Sequence, residues 1–265
     1  MITYAKQVQP ALLTPLWQCC FGDSKEDVEA FWRKTEGRVM TFAALDGKMP
    51  VAMLCALPTE LVDDCGEVLR AVYLYAVCTA PTHRRQGVCA ALLAYAEKEL
   101  HDYDACLLVP DGEALFRYYE KHGYRTAFYH SVFELPAQRF DVKITKLHAD
   151  TYRSLRELQL YGSFVSYDAS LLELQKCASE ASGAGLYRLE TADTVCCAAA
   201  EKCGARLLLK ELLPYCPEAA AALAERLGCK TAVVRTQGED VPFGMCKALH
   251  GADLPERSYL GLAFD

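Results

Sequence analysis

The segment Ala71–Leu100, AVYLYAVCTAPTHRRQGVCAALLAYAEKEL, leaves few folds open to this chain. An apolar, β-branched and aromatic run over Ala71–Thr79 stops at Ala80-Pro81, a basic turn follows as His83-Arg84-Arg85-Gln86-Gly87, and a helical pattern begins. In that pattern Val88, Leu92, Leu93, Ala96 and Leu100 predict one core-facing stripe. A strand that enters a helix through a basic glycine turn is a ready anion site. The first helical turn offers unpaired N–H groups and the positive end of the helix dipole. Gly87 lets the backbone come close to a ligand where a Cβ would collide. Arg84 and Arg85 add fork-shaped donors that suit phosphate oxygens. The pattern points to a nucleotide-like pyrophosphate.

The next elements complete a recognisable order. Asp104–Pro110 reads as a buried strand of a parallel sheet, Glu113–His122 as a short helix closed by Gly123, and Tyr124–Leu135 as a further strand. Within this frame Arg84-Arg85-Gln86-Gly87-Val88-Cys89 resembles the pyrophosphate loop of the GNAT acyl-CoA N-acetyltransferases, Gln/Arg-x-x-Gly-x-Gly/Ala, with Cys89 at the usually small last position. YYEKHGYR, from Tyr118 to Arg125, is similar to the second motif of that family, and APTHRRQGV is similar to its Eis-like branch.

The resemblance implies a mixed α/β fold with a splayed central sheet flanked by helices, and acetyl-CoA as co-substrate. It implies that the backbone of Val77, Cys78 and Thr79 holds the pantetheine arm. Arg84, Arg85, Gln86, Gly87, Val88, Cys89 and Ala90 then form the pyrophosphate cradle, and Tyr119 gives a proton to the departing thiolate. Tyr118 is expected to pack. The implied reaction is direct attack of an amine on the thioester in a ternary complex, with a strand N–H near Val77 stabilising the oxyanion. An aliphatic amine is only about one part in a few thousand neutral at pH 7, a handicap of roughly 4–5 kcal/mol, so a base or water chain is expected. In the Eis-like branch the C-terminal carboxylate serves, which marks Asp265.

The amino-terminal part reads as a strand at Ile2–Ala5, helices near Pro10–Cys20 and Lys25–Lys34, and a hairpin about Asp46-Gly47. Asp23 or Ser24 is a plausible N-cap for the second helix. By the resemblance this joint lines the acceptor pocket, so Asp23 is also a candidate contact for a cationic substrate. Ala137–Asp141 looks like a boundary, giving domains 1–138 and 139–265. Beyond it the order repeats: a strand at Val142–Leu147, helices at Ala149–Tyr161 and Ser170–Ala181, and strands near Leu186–Glu190, Thr194–Ala200 and Ala205–Leu212. A helix at Pro217–Leu227 and strands near Thr231–Thr236, Pro242–Leu249 and Tyr259–Phe264 follow. The counterpart of the phosphate turn is Leu213-Pro214-Tyr215-Cys216, with no glycine, no arginine and a missing N–H at proline. The second half therefore reads as a degenerate GNAT-like lobe without a coenzyme site.

Composition excludes several classes. The 14 cysteines are dispersed without a C-x-x-C spacing, which disfavours a zinc site or disulfide framework and suits a reduced, cytoplasmic setting. The six histidines show no H-E-x-x-H pattern, so no metal is expected. A net charge of −7 argues against a nucleic-acid partner. No apolar run reaches the length of a membrane span, and the first residues show no signal-peptide core. The expected partner is a small-molecule or peptide amine, with the oligomeric state unassigned. Two other readings stay open: a non-catalytic acyl-CoA-binding or sensory protein on the same scaffold, and a Fem-type aminoacyl transferase.

Overall fold

The Asp-Gly turn at Asp46-Gly47 closes a hairpin between β2 (Met40–Asp46) and β3 (Met49–Val62), with Gly47 at φ 62°. That φ is left-handed, which is why the turn takes glycine. In the computed structural model, which describes residues 1–264, this hairpin belongs to the first of two compact units. The first comprises Met1–Glu60, Leu69–Arg125 and Met245–Leu254. The second comprises Leu61–Val68, Thr126–Gly244 and the segment from Pro255 onward.

In the first unit, β1 (Ile2–Lys6) pairs antiparallel with β2. Beyond β3 come β4 (Val68–Thr79) and then β5 (Ala105–Leu108), parallel to β4. The parallel step needs a crossover, supplied by α3 (Val88–Glu99). Its predicted stripe is the buried one: Val88, Leu92, Leu93, Ala96 and Leu100 all lie in the core with Phe42, Leu54, Val72 and Leu108. Helices α1 (Pro10–Phe21), α2 (Lys25–Lys34) and α4 (Glu113–Glu120) complete the unit. Burying these apolar faces at about 25 cal/mol per Å² is the main stabilising term.

The second unit carries the sheet order β6 (Arg125–Pro136), β12 (Thr231–Gln237), β11 (Arg206–Leu213), β10 (Val195–Cys203), β9 (Gly185–Glu190) and β7 (Lys143–Lys146). β11 and β12 run parallel and are joined by α7 (Pro217–Arg226), whereas β6 with β12, β11 with β10, β10 with β9 and β9 with β7 are antiparallel. The helices α5 (Ala149–Gln159) and α6 (Ala169–Ala181) also belong here. Among the described residues no helix is long and apolar enough to cross a membrane.

Three expectations need correction. The division at 138/139 places β6 and the last strand β13 (Val241–Ala248) whole in one half each, whereas both strands are divided between units. Met245–Ala248 of β13 pairs antiparallel with Leu108–Ala105 of β5 and so covers that edge of the first sheet. Tyr259–Phe264 forms no strand. Ser258 and Tyr259 make isolated bridges to Phe128 and Phe164, and the tail is held instead by burial of Leu260, Leu262 and Ala263. Phe164–Ser166 forms a short strand, β8, in a stretch too short to show alternation.

Candidate active site

At Ala76 the strand β4 bends. Its φ of 50° puts a residue with a Cβ into the left-handed region within a strand, a conformation that interrupts regular pairing. The pairing with β5 runs only over Ala71–Tyr73. On its other side β4 stays tied to β3 as far as Ala80, whose N–H donates to the Val51 carbonyl at 2.8 Å. The sheet therefore opens between β4 and β5. Val77, Cys78 and Thr79 stand on this freed stretch, with Cys78 buried and the other two half-buried.

The turn into α3 begins where β4 ends. Arg85 has φ 61° and Gly87 has φ 78°, two left-handed residues flanking Gln86. Such turns aim successive N–H groups to one side. Gly87 is the N-cap of α3 and has no side chain to cap with, and the first turn carries no acidic residue. The N–H groups that open this 12-residue helix are left for another acceptor. A Cβ on Gly87 would meet nothing within 4 Å, so conformation selects the glycine and its flank is open. Arg84 Nε donates to the Thr79 carbonyl at 3.1 Å and Gln86 Nε2 to the Thr82 carbonyl at 3.0 Å, which brace the turn. Arg85 is exposed and makes no ion pair among the described residues. This cradle fits a pyrophosphate in charge and in donor supply.

Tyr119 projects from α4 into the core and is 6% exposed. Its ring meets Tyr118 and Tyr124 edge-on, with centroids 5.2 and 5.6 Å away. Its hydroxyl bonds to no described residue. Burial, and after it the Cys89 thiol, push its proton affinity above the ordinary phenol value, so it stays protonated at neutral pH. The Tyr118 ring meets Tyr119 and His122 edge-on, with centroids 5.2 and 4.7 Å away.

The α1–α2 joint resolves the choice of cap. Ser24 is the N-cap, its Oγ accepting from Asp27 N–H at 3.1 Å. The Asp23 carboxylate instead accepts from Trp17 Nε1 at 2.7 Å. Trp17 lies in an aromatic cluster with Phe31, Trp32 and Tyr75, all within 5.6 Å of its ring centroid, and Tyr75 directly precedes the bend at Ala76. The aromatic cluster is a feature that the sequence reading missed; its members are scattered over three elements. Asp265 lies outside the described residues. Asp63, Asp64 and Cys65 bring ligand atoms within 4.8 Å of one another. Asp63 Oδ1 already accepts from the N–H groups of Cys65 and Glu67, as a turn-former does.

Residues 10–127 match the family described as Acetyltransferase (GNAT) domain. This part of the chain is similar to the GNAT acetyltransferase domains. The GNAT fold extends to solved structures that take in both units. The GCN5-related N-acetyltransferase of Anabaena variabilis matches with a TM-score of 0.72 at 16% identity, over 93% of this chain and 72% of that one. A probable N-acyltransferase from Enterococcus faecalis V583, described as a conserved protein of unknown function, gives 0.69 at 13% identity over 94% and 73%. Eis1 of Mycobacterium abscessus gives 0.62 at 12% identity, with the same shares covered. At these identities the likeness is one of fold, and it takes in both units. No curated protein matches the sequence. The opened β4 edge, the glycine turn and Tyr119 all lie in the GNAT domain, whose family is one of acyltransferases.

Proposed function

We propose that the chain is an acetyl-CoA-dependent N-acetyltransferase that transfers the acyl group directly to an amine in a ternary complex. The observation that carries this reading is the opening of β4 at Ala76 beside the uncapped start of α3. The backbone of Val77, Cys78 and Thr79 would hold the pantetheine amides, and residues Arg84–Ala90 the pyrophosphate. When bound, the thioester supplies the activated acyl group. The chain's own part is to orient, to exclude water and to hold a proton. A strand N–H near Val77 is a fixed donor for a developing oxyanion, and such a donor is worth about 10²–10³ in rate. The raised proton affinity of Tyr119 keeps a proton on Oη, ready for a departing thiolate. Asp23, fixed by the Trp17 indole, offers a carboxylate to a cationic acceptor. The same features support a single coenzyme per chain, since α7 begins with Pro217 and has Glu218 in its first turn.

The test is release of free thiol from acetyl-CoA across a panel of amines and peptides, with calorimetry of coenzyme binding alongside. Turnover with at least one amine is expected. Tight binding of acetyl-CoA with no turnover on any amine would leave a coenzyme-binding protein and end the catalytic reading. Absence of binding would end both.

A further inference from the structure

We propose, resting on the acyl-transfer reading, that the acceptor is a primary amine carried on an apolar, ring-bearing body. It is seated at the end of α1, with its ammonium on Asp23 and its body against Phe21. The place follows from how α1 meets β4. The Trp17 ring lies 5.6 Å from that of Tyr75, and the Cys20 thiol donates to the Thr79 carbonyl at 3.6 Å. The last turns of α1 therefore run along the stretch where β4 has left β5. The helix then closes at Gly22, with φ 79°, and Asp23 reaches back to accept from Trp17 Nε1 at 2.7 Å. Phe21 and Asp23 stand together on the flank of the opening.

The charge there is uncompensated. The last turn of α1 holds no basic residue, so no cation of the helix meets the negative end of its dipole. The Asp23 carboxylate adds a full charge at the same end. Its bonded partner, the indole, is neutral, and it makes no ion pair with a described residue. Lys25, two residues on, is paired with Glu29 at 3.6 Å. An ammonium is the group that satisfies both the helix end and the carboxylate.

The surface around that charge is apolar. None of the 12 residues of α1, PALLTPLWQCCF, carries a charge. Phe21 is 48% exposed, yet its ring meets Trp17 edge-on at 6.1 Å, and Trp17 is in turn backed by Phe31 and Trp32. The open face of Phe21 is thus a ring with a fixed aromatic wall behind it. An aryl body laid there gains about 25 cal/mol per Å² of apolar surface covered. A polyamine or a sugar amine would set its further ammonium or hydroxyl groups on the same surface and lose their water. The site selects for one charge and an apolar remainder.

The full chain with acetyl-CoA is assayed against phenethylamine and tryptamine, beside spermidine and glucosamine. The two arylalkylamines should exceed the other two in kcat/KM by about 10-fold or more. Phe21→Ala trims a half-exposed ring and should lower the arylalkylamine kcat/KM about 10-fold, chiefly through KM, with Phe21→Tyr restoring it. Asp23→Asn keeps an oxygen for the Trp17 indole and removes the charge, so the amine KM should rise about 10-fold. Calorimetry of phenethylamine and spermidine on the CoA-saturated chain should give the same ranking without turnover. Spermidine or glucosamine as the better acceptor, or an arylalkylamine KM that Phe21→Ala leaves unchanged, overturns this acceptor class while acyl transfer stands. Neither turnover nor binding with any of the four overturns both.

Discussion

The chain contains two strand–helix–strand crossovers of the same topology, β4–α3–β5 and β11–α7–β12, and they treat the helix start in opposite ways. Both strand pairs are parallel and both are joined only near their beginnings, over Ala71–Tyr73 and over Arg206–Leu209. In the first, a left-handed arginine and a left-handed glycine lead into a helix whose opening N–H groups have no internal cap. In the second, the chain enters through Leu213-Pro214-Tyr215-Cys216. Tyr215 stacks on Phe133 at 4.2 Å, Pro217 occupies the first helical position and Glu218 sits in the first turn, accepting from the Cys216 thiol at 3.4 Å. A helix start is thus only half of an anion site. The turn before it decides whether the positive end is offered to a ligand or consumed by the chain.

Charge follows the same division. The first unit leaves Arg85 exposed, while the second buries Arg156 and Glu211 completely. Arg156 donates to Glu211 through Nε at 2.7 Å and Nη2 at 3.1 Å, and through Nη1 to the Val165 carbonyl at 2.9 Å. Tyr152 adds a hydroxyl to the same carboxylate at 2.6 Å. The donors of Arg156 and Tyr152 all have internal acceptors, which makes this a structural cluster.

The comparison can be broken most directly at Gly87. Gly87→Glu puts a carboxylate at the start of α3, and coenzyme binding should be lost entirely by calorimetry, while the wild type titrates at one coenzyme per chain. A second equivalent in the wild type would show that α7 also serves. Next in size is Arg156→Met, which strands a buried carboxylate. It should cost about 3–5 kcal/mol in the unfolding transition of the second unit. A loss below about 1 kcal/mol would mean that Glu211 finds another cation.

Tyr119→Phe should lower kcat by about 10²-fold with coenzyme affinity kept, the range for a positioned acid. Tyr118→Phe, which keeps the ring contacts with Tyr119 and His122, should leave kcat within about twofold. Equal losses in both variants would return Tyr119 to packing. The smallest effect belongs to Gly87→Ala. With nothing within 4 Å of the new Cβ, only the φ of 78° is penalised, at about 1 kcal/mol in thermal unfolding.

The helices were legible because their apolar spacing matched burial: every residue of the α3 stripe is in the core. The turn at Gly87 was legible because its glycine and arginines stand between a strand-like run and a helical stripe. Ala76 gave no signal, since alanine has no preference for a left-handed φ and the bend is imposed by the sheet around it. Ser24 and Asp23 were equivalent as caps on paper; the Trp17 indole, a helix away, separates them. The pairing of β13 with β5 is a long-range outcome that local patterning cannot encode.

The return of Met245–Ala248 to β5 also has a bearing on synthesis. All four residues of β5 are buried, and the strand has its final neighbour only after residue 248 has left the ribosome. Until then this apolar edge strand waits uncovered through the translation of about 140 residues, roughly 7–28 s at about 5–20 residues per second. That is a window in which a nascent chain can pair with the wrong edge. A fragment ending at residue 138 never leaves this window and should be recovered as aggregate, whereas the full chain closes it by itself.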